Sequence, residues 1–501
     1  MTECWITARA VITMLFAAAI CLGACGVSTT TPTGSTLPAI PAGPAATFSE
    51  LSGGNGPFIA EPVPVDLGKV GYLQHEYAAS GTATSYQVIG GMSENGRWNF
   101  TRSGNAAYRT RVLVRYPANP ARFSGTVIVE WLNVSGGVDA DPEWDNMHEE
   151  IVRHGDAWVG VSAQLIGVMG GPVVVSVSGI PGGEVAGKGL RTIDPARYSS
   201  LNLPGDGFSF DIFTQVARAV RAGNGIGGRT VTHVIAAGES QSAFALVTYY
   251  DGVQPLTKEF DGFLVHSRGA APLPLAAPGQ YAGIASAIGG SPAIFRTDLS
   301  APVLNIQSES DVTGILDSYA ANQPDNPRFR LWDMAGTSHV DAHLLGYTAS
   351  DIHCGVPINA GPTNLIAKAA LADLEEWVTT GRAPPHAPRF DISSGPAPSI
   401  VRDGDGIALG GIRTPPVDVP VAVLSGVPGH DPSLICLLLG STTPLSTQRL
   451  AALYPSRAAY LAQYGADATT TVKDGWVLPA DKAALLDMAD PSAIPATNPQ
   501  G

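Results

Sequence analysis

The chain has 501 residues, of which 45% are hydrophobic and only 14% are charged, so it is long enough to bury a large core. Its formal net charge of -14 repels phosphate backbones, and no Lys/Arg cluster suggests binding to an anionic membrane surface. We therefore expect no nucleic acid partner, and contact with a membrane only through a lipid anchor.

The N-terminal residues predict export. An apolar run at residues 10–22 is too short to span a bilayer comfortably but is typical of the central region of a signal peptide. It is followed by Cys25 in the sequence LGAC, which resembles the lipobox of bacterial lipoproteins. The pattern predicts a lipoprotein signal peptide over 1–24, lipidation of Cys25 and attachment to the outer face of the plasma membrane in the cell envelope. An ordinary secretory signal and a secreted protein are the alternative.

A low-charge segment rich in Thr, Pro, Ser and Gly follows, and we assign residues 25–62 to a flexible tether and 63–501 to the folded domain. Two cysteines remain in the body of the chain, Cys354 and Cys436. In an exported protein this pair predicts one disulfide bond, with two buried free thiols as the alternative.

Strand-like and helix-like segments alternate from about residue 70. This alternation predicts an α/β fold with a mostly parallel central sheet and helices on both faces. The predicted strands include 110–116, 125–132, 157–162, 230–237, 260–266, 302–307 and 329–334, and the predicted helices include 145–154, 208–222 and 367–378.

Three regions depart from this alternation. Two Gly- and Pro-rich stretches, at about 167–204 and 269–300, are predicted to be cap-like insertions that bind substrate. The pattern changes again after about residue 390. We interpret residues 390–501 as an appendage packed on the core.

A candidate nucleophile lies between a predicted strand and a predicted helix. Residues 237–243 read AGESQSA and place Ser240 in the turn, where small neighbours are needed. The usual pattern is G-x-S-x-G, and Ser242 replaces its last glycine. An ordinary serine at a helix N-terminus is the alternative.

A serine nucleophile needs a base. In α/β-hydrolases, whose nucleophile turn the AGESQSA sequence resembles, the order along the chain is Ser, acid, His. Asp311 follows a predicted strand and lies nine residues after the proline that opens it. Glu309 is the alternative acid. His339 follows the last predicted strand and is the predicted general base and acid.

A metal site is the main rival interpretation. His339 and His343 have H-x-x-x-H spacing, but the pattern lacks the glutamate of H-E-x-x-H and an evident third ligand. The DGDG sequence at 403–406 is more typical of a hairpin turn than of a calcium loop. We therefore predict no metal and no cofactor.

An acyl-transfer enzyme also needs backbone amides that stabilise an oxyanion. The first amide is expected from Gln241, the residue after the nucleophile. The sequence EWLNVSGG at 130–137 occupies the position of the second, which we assign to Asn133 or Val134.

Together these motifs resemble the bacterial family of alpha/beta hydrolase domain-containing proteins, over about residues 65–490. The resemblance implies one large catalytic domain that includes the C-terminal segment, but it names no substrate. The motifs that carry it are EWLNVSGG (130–137), GESQS (238–242), AGTSHVD (335–341), CGVPINAGP (354–362), GGIRTP (410–415), and Cys436 with LGSTTP (439–444).

The sequence thus favours a serine hydrolase that cleaves carboxylic esters of a small-molecule or lipid-like acyl substrate. Peptide or amide hydrolysis, or acyl transfer by the same residues, is the enzymatic alternative. A surface binding protein on a hydrolase scaffold is the non-enzymatic one.

Overall fold

The computed structural model of the protein describes residues 43–176, 183–395 and 397–495. The predicted signal peptide, Cys25 and residues 26–42 of the predicted tether lie outside the described residues. No helix within the described ranges is long and apolar enough to cross a membrane.

Nine of the eleven described strands form one sheet, in the order β1-β2-β3-β5-β4-β6-β7-β8-β9, and the other two form an antiparallel pair. The pairs among β4 to β9 are parallel, whereas β1, β2 and β3 pair antiparallel with each other and with β5. The strands are β1 (Thr47–Glu50), β2 (Tyr72–Ile89), β3 (Asn99–Pro117), β4 (Thr126–Trp131), β5 (Ala157–Val161), β6 (His233–Glu239), β7 (Gly262–His266), β8 (Val303–Ser308), β9 (Phe329–Met334), β10 (Ala422–Ser425) and β11 (Ser441–Pro444).

Within the described ranges, sixteen α-helices connect and cover these strands. They are α1 (Pro142–His154), α2 (Leu165–Met169), α3 (Leu190–Ile193), α4 (Pro195–Tyr198), α5 (Ser209–Arg221), α6 (Gln241–Thr248), α7 (Gln254–Thr257), α8 (Ile284–Ala287), α9 (Glu309–Val312), α10 (Ala342–Leu345), α11 (Thr363–Thr380), α12 (Pro415–Asp418), α13 (Leu434–Leu438), α14 (Thr447–Leu453), α15 (Arg457–Lys473) and α16 (Lys482–Asp487).

The central strand β6 is buried on both faces. Val234 and Ala236 belong to the apolar cluster on the face covered by α5 and α6. Ile235 and Ala237 belong to the cluster on the opposite face, which contains apolar side chains of α1 and α11. Since a parallel strand covered on both faces is apolar at every position, this arrangement explains the continuous apolar run in the sequence. The predicted α/β fold with a mostly parallel sheet is confirmed.

The predicted tether extends too far into the chain. Thr47–Glu50 forms β1, which pairs antiparallel with β2, and Ala46 just before it is buried. The Arg218 side chain donates to the carbonyl oxygen of Pro44 at 3.2 Å. The sequence did not reveal this strand because a short edge strand is held by backbone hydrogen bonds and exposes most of its side chains.

The two predicted insertions contact each other beside the sheet. The first contains α2, α3 and α4, and the second contains α8. The Asp206 carboxylate accepts from the Leu165 amide at 2.6 Å and from the Ala282 amide at 2.7 Å. This buried side chain joins the first residue of α2 to the second insertion, and Oη of Tyr281 in the second insertion donates to the carbonyl oxygen of Gly170 in the first at 2.9 Å.

The C-terminal region packs against the edge of the sheet that ends in β9. The rings of Trp476 and Trp332 lie 5.2 Å apart, nearly perpendicular. A disulfide bond joins Cys354 to Cys436 across 82 residues of sequence. The structure therefore contains the predicted disulfide and not the alternative pair of free thiols.

Candidate active site

Ser240 occupies a strained turn between β6 and α6. Its backbone has φ 60° and ψ -120°, a conformation that non-glycine residues rarely adopt. The Ser240 amide donates to the carbonyl oxygen of His266 at 3.0 Å and so fixes the turn against β7. A Cβ at Gly238 would lie 2.9 Å from Cβ of Ser242, so the turn requires small residues on both sides of Ser240.

His339 lies between Ser240 and Asp311. Its Nε2 is 2.7 Å from Oγ of Ser240, and its Nδ1 is 2.6 Å from Oδ1 of Asp311. The His339 amide donates to Oγ of Ser310 at 2.7 Å, which holds the loop after β9 against α9. The structure thus brings the three predicted residues together in one hydrogen-bonded chain.

The Asp311 carboxylate is fully buried and accepts several hydrogen bonds. Its Oδ2 accepts from Oγ of Ser267 at 2.7 Å, and from the amide and Oγ of Ser308 at 2.6 and 2.7 Å. Burial alone would raise the pKa of Asp311, but the charge of His339 and these hydrogen bonds hold it below its usual value. Asp311 is therefore an acceptor for a proton on Nδ1 of His339, which leaves Nε2 free to accept from Ser240.

The imidazole of His339 is also buried. Burial by itself lowers the pKa of His339, but the charge of Asp311 and the hydrogen bond to it outweigh this effect, and the net pKa is raised. A base of raised pKa beside a serine hydroxyl is suited to take up its proton.

Glu309, the alternative acid, has a different set of partners. Its Oε1 accepts from the amide of Gly336 at 2.7 Å. Its Oε2 accepts from Arg402 at 2.7 Å and from the amide of Gly426 at 3.0 Å. Glu309 thus joins the loop that carries His339 to the C-terminal appendage, and it does not contact His339.

The predicted second oxyanion amide is not free in this structure. The Asn133 amide donates to the carbonyl oxygen of Ala140 at 3.0 Å, and the Val134 amide donates to Oε1 of Gln241 at 3.2 Å. The Gln241 amide lies at the first position of α6, where the helix supplies no acceptor. The assignment to Asn133 or Val134 is not supported in this conformation, because the Asn133 amide is satisfied by the loop itself and the Val134 amide by the side chain of Gln241 on α6.

The rival metal interpretation has little geometric support. Nε2 of His343 lies 3.2 Å from the carbonyl oxygen of Asp145, and neither His343 nor His339 belongs to a potential ligand cluster among the described residues. At residues 403–406, Oδ1 of Asp403 accepts from the amides of Asp405 and Ile407, as in a turn.

A cavity of about 430 Å³ opens at Ser240 and His339, and its lining is mostly apolar. The first insertion contributes Val173 and Val175, and the C-terminal appendage contributes Ile435 and Leu438. None of the described lining residues belongs to the second insertion. The second insertion instead contacts the first, where Oη of Tyr281 donates to the carbonyl oxygen of Gly170 at 2.9 Å.

Glu239, the residue before Ser240, is a site residue that the sequence did not predict. Its Oε1 lies 3.8 Å from Nε2 of His339 and has no hydrogen-bond partner among the described residues. Burial raises the pKa of Glu239 to about 7. The position of Glu239 inside the GESQS motif could have drawn attention to it. The neighbouring sequence did not indicate that its side chain lies near His339.

Comparisons with known proteins agree with this fold. A family model described as alpha/beta hydrolase domain matches residues 38–487. No curated protein sequence matches the chain.

Three of the solved structures that resemble the chain show how low the sequence identity and the structural similarity are. A thermostable esterase from Pseudomonas putida ECU1011 is 14% identical, with 62% of this chain and 85% of that chain covered, at a TM-score of 0.31. One of two fungal esterases from Rhizomucor miehei is 11% identical, with coverage of 60% and 85%, at 0.30. An alpha-beta serine hydrolase homologue from Coxiella burnetii is 16% identical, with coverage of 51% and 88%, at 0.25. Similarities of this size do not identify a substrate.

Proposed function

The chain belongs to the alpha/beta hydrolase domain family, and on that premise we propose that it is a serine hydrolase that cleaves carboxylic esters through an acyl-enzyme on Ser240. The observation that carries the proposal is the chain of hydrogen bonds from Oγ of Ser240 through His339 to Asp311, at 2.7 and 2.6 Å. In such a chain the hydroxyl loses its proton as it attacks, and the resulting imidazolium is stabilised by the buried carboxylate.

In the first half of the reaction, Oγ of Ser240 attacks the ester carbonyl carbon and its proton passes to Nε2 of His339. The Gln241 amide donates to the developing oxyanion, and the N-terminus of α6 favours the same negative charge. The carbonyl then re-forms, and His339 returns its proton to the departing alcohol. The acyl group remains on Ser240.

In the second half, His339 takes a proton from water, whose oxygen attacks the acyl carbon. The bond to Oγ breaks, the proton returns to Ser240 and the carboxylic acid is released. Asp311 stays ionised throughout and keeps the Nδ1 proton of His339 in place.

The cavity supports an ester with an apolar acyl group. Its lining includes branched aliphatic side chains, and none of its described lining residues is Lys or Arg. Since about 0.8 kcal/mol is gained per buried methylene, an aliphatic chain is bound by contact area and not by specific polar contacts.

A fluorophosphonate probe tests the nucleophile. We expect the wild type to be labelled and to hydrolyse p-nitrophenyl esters, and Ser240→Ala to lose both properties. The matched control is Ser242→Ala, which removes the other hydroxyl of the same motif and should keep both. A label that persists in Ser240→Ala contradicts the proposal, and bound ligand without label or turnover would favour a binding protein. Faster cleavage of a matched anilide than of the ester would favour an amidase.

We also propose that the enzyme acts outside the cell membrane, tethered through a lipidated Cys25 and a linker that ends before β1. The LGAC sequence and the disulfide bond support this proposal, because disulfides form in oxidising compartments. In a bacterial host, metabolic labelling with a fatty acid should mark the wild type and not Cys25→Ser. Equal labelling of both proteins, or of neither, contradicts the anchor.

A further inference from the structure

Three carboxylates lie together beside the cavity, away from the chain of hydrogen bonds at Ser240. Glu61 precedes β2, and Asp141 and Asp145 lie at the N-terminus of α1. One side-chain oxygen from each residue lies within 4.8 Å of the others. Glu61 and Asp145 also line the cavity. We call these three residues the carboxylate cluster.

The described residues provide one guanidinium for this cluster. Arg115 is paired with Glu61 at 3.0 Å and with Oδ2 of Asp141 at 2.8 Å. Its side chain is almost fully buried, stacked against the rings of Trp144 and Trp158. One positive charge therefore faces three carboxylates, and Arg115 occupies only one side of Asp141.

Two buried oxygens of the carboxylate cluster are unpaired among the described residues. Oδ1 of Asp141 and Oδ1 of Asp145 accept no hydrogen bond from any described residue, although both side chains are at most 1% exposed. An ionised carboxylate in this position is costly unless it is paired or coordinates a metal. Burial and the neighbouring charge of Asp141 both raise the pKa of Asp145 and of Glu61, as expected where negative groups crowd together without enough cations.

We propose that the carboxylate cluster binds a calcium ion. Calcium takes 6–8 oxygen ligands at about 2.3–2.6 Å in flexible geometry, and carboxylates are its preferred ligands. The oxygens of Asp141 and Asp145 that Arg115 leaves free supply two ligands, and Glu61 supplies a third from the cavity side. Water from the cavity completes the shell.

The ligand atoms of the carboxylate cluster and their geometry favour calcium over zinc and magnesium. Zinc prefers nitrogen and sulfur ligands, and the cluster contains neither. Magnesium demands near-ideal octahedral geometry, which three carboxylates on two separate segments, two of them already paired with Arg115, are poorly placed to provide. The position of the ion beside the cavity wall also predicts that it stiffens the first turn of α1 against the segment that carries Glu61.

Thermal unfolding and terbium luminescence test the site without reference to catalysis. In 10 mM calcium chloride we expect the wild-type unfolding midpoint to rise by about 2–4 °C over EDTA, as mass action predicts for a millimolar or tighter site. Terbium should bind at the same place and be sensitised by the adjacent Trp144, and calcium should displace it.

Asp145→Asn is the decisive variant. The amide keeps the size of the side chain but replaces one carboxylate oxygen with a nitrogen that cannot bind calcium. The variant should therefore unfold in EDTA near the wild-type midpoint, gain no stability from calcium and bind terbium at least tenfold more weakly. Glu61→Gln, nearer the surface, is a second variant with the same expectation.

Asp403→Asn in the DGDG turn is the matched control and should keep the full response to calcium. No effect of calcium on the wild-type midpoint overturns the site. An undiminished response in both Asp145→Asn and Glu61→Gln, or a lost response in the control, also overturns it.

Discussion

The Glu239 carboxyl lies 3.8 Å from Nε2 of His339, on the same side of the imidazole as Oγ of Ser240. The residue before the proposed nucleophile therefore contributes a second negative charge to the histidine that Asp311 already orients. Because Glu239 titrates near neutral pH, this contribution changes over the range in which such enzymes work.

Glu239→Gln should alter the pH profile. Ionised Glu239 favours the imidazolium and so helps to raise the pKa of His339. A neutral amide removes that effect, so the acid limb of kcat/KM should move to lower pH. At pH 8 the loss of one charge contact worth about 1 kcal/mol in the transition state should lower kcat/KM by roughly five-fold. Initial rates between pH 5 and 9 measure both effects, and an acid limb that stays in place would contradict this role.

Asp311→Asn and Glu309→Gln should separate the two candidate acids. The first change removes the acceptor for Nδ1 of His339, and we expect kcat/KM to fall by about 10³–10⁴-fold. The second weakens the ion pair to Arg402 but leaves His339 in contact with Asp311. It should lower stability by about 1–3 kcal/mol while kcat/KM stays within tenfold. The reverse pattern, measured by kinetics and urea unfolding, would identify Glu309 as the acid.

The double variant Cys354→Ser, Cys436→Ser should be less stable. The disulfide joins residues separated by 82 positions, and removing a link of this length costs about 2–5 kcal/mol. Urea unfolding of the oxidised wild type and the variant measures the difference. Dithiothreitol should destabilise the wild type and leave the double variant unchanged. Equal stability of the two proteins would show that the bond contributes nothing to the fold.

Leu438→Trp should shorten the accepted acyl chain. Leu438 is buried in the cavity wall on the C-terminal appendage, and an indole there takes space from the substrate. We expect kcat/KM for p-nitrophenyl hexanoate to fall at least tenfold more than that for the acetate. Leu461→Trp, an exposed position on α15, is the control and should leave the ratio unchanged. An unchanged ratio in Leu438→Trp would show that the acyl group lies elsewhere.

Local patterns were sufficient for much of the architecture. The apolar runs of β4 to β9 and the turn around Ser240 were predicted because a parallel strand and a strand-turn-helix junction each leave a signature within about ten residues. His339 and Asp311 followed from chain order. The short strand β1 left no such signature, and the predicted tether therefore included residues that belong to the folded domain.

The sequence by itself determined which residue sits in the strained turn, because the small residues around Ser240 are required by backbone geometry within the turn. Only the tertiary structure shows which of Asp311 and Glu309 contacts His339, because these residues lie two positions apart but accept hydrogen bonds from different parts of the chain. The tertiary structure alone also shows that the amides of Asn133 and Val134 are occupied, that Glu239 lies near His339, and that the three residues of the carboxylate cluster lie together. In each case the outcome depends on burial and on partners distant in sequence, and desolvation and hydrogen bonding are properties of the folded chain.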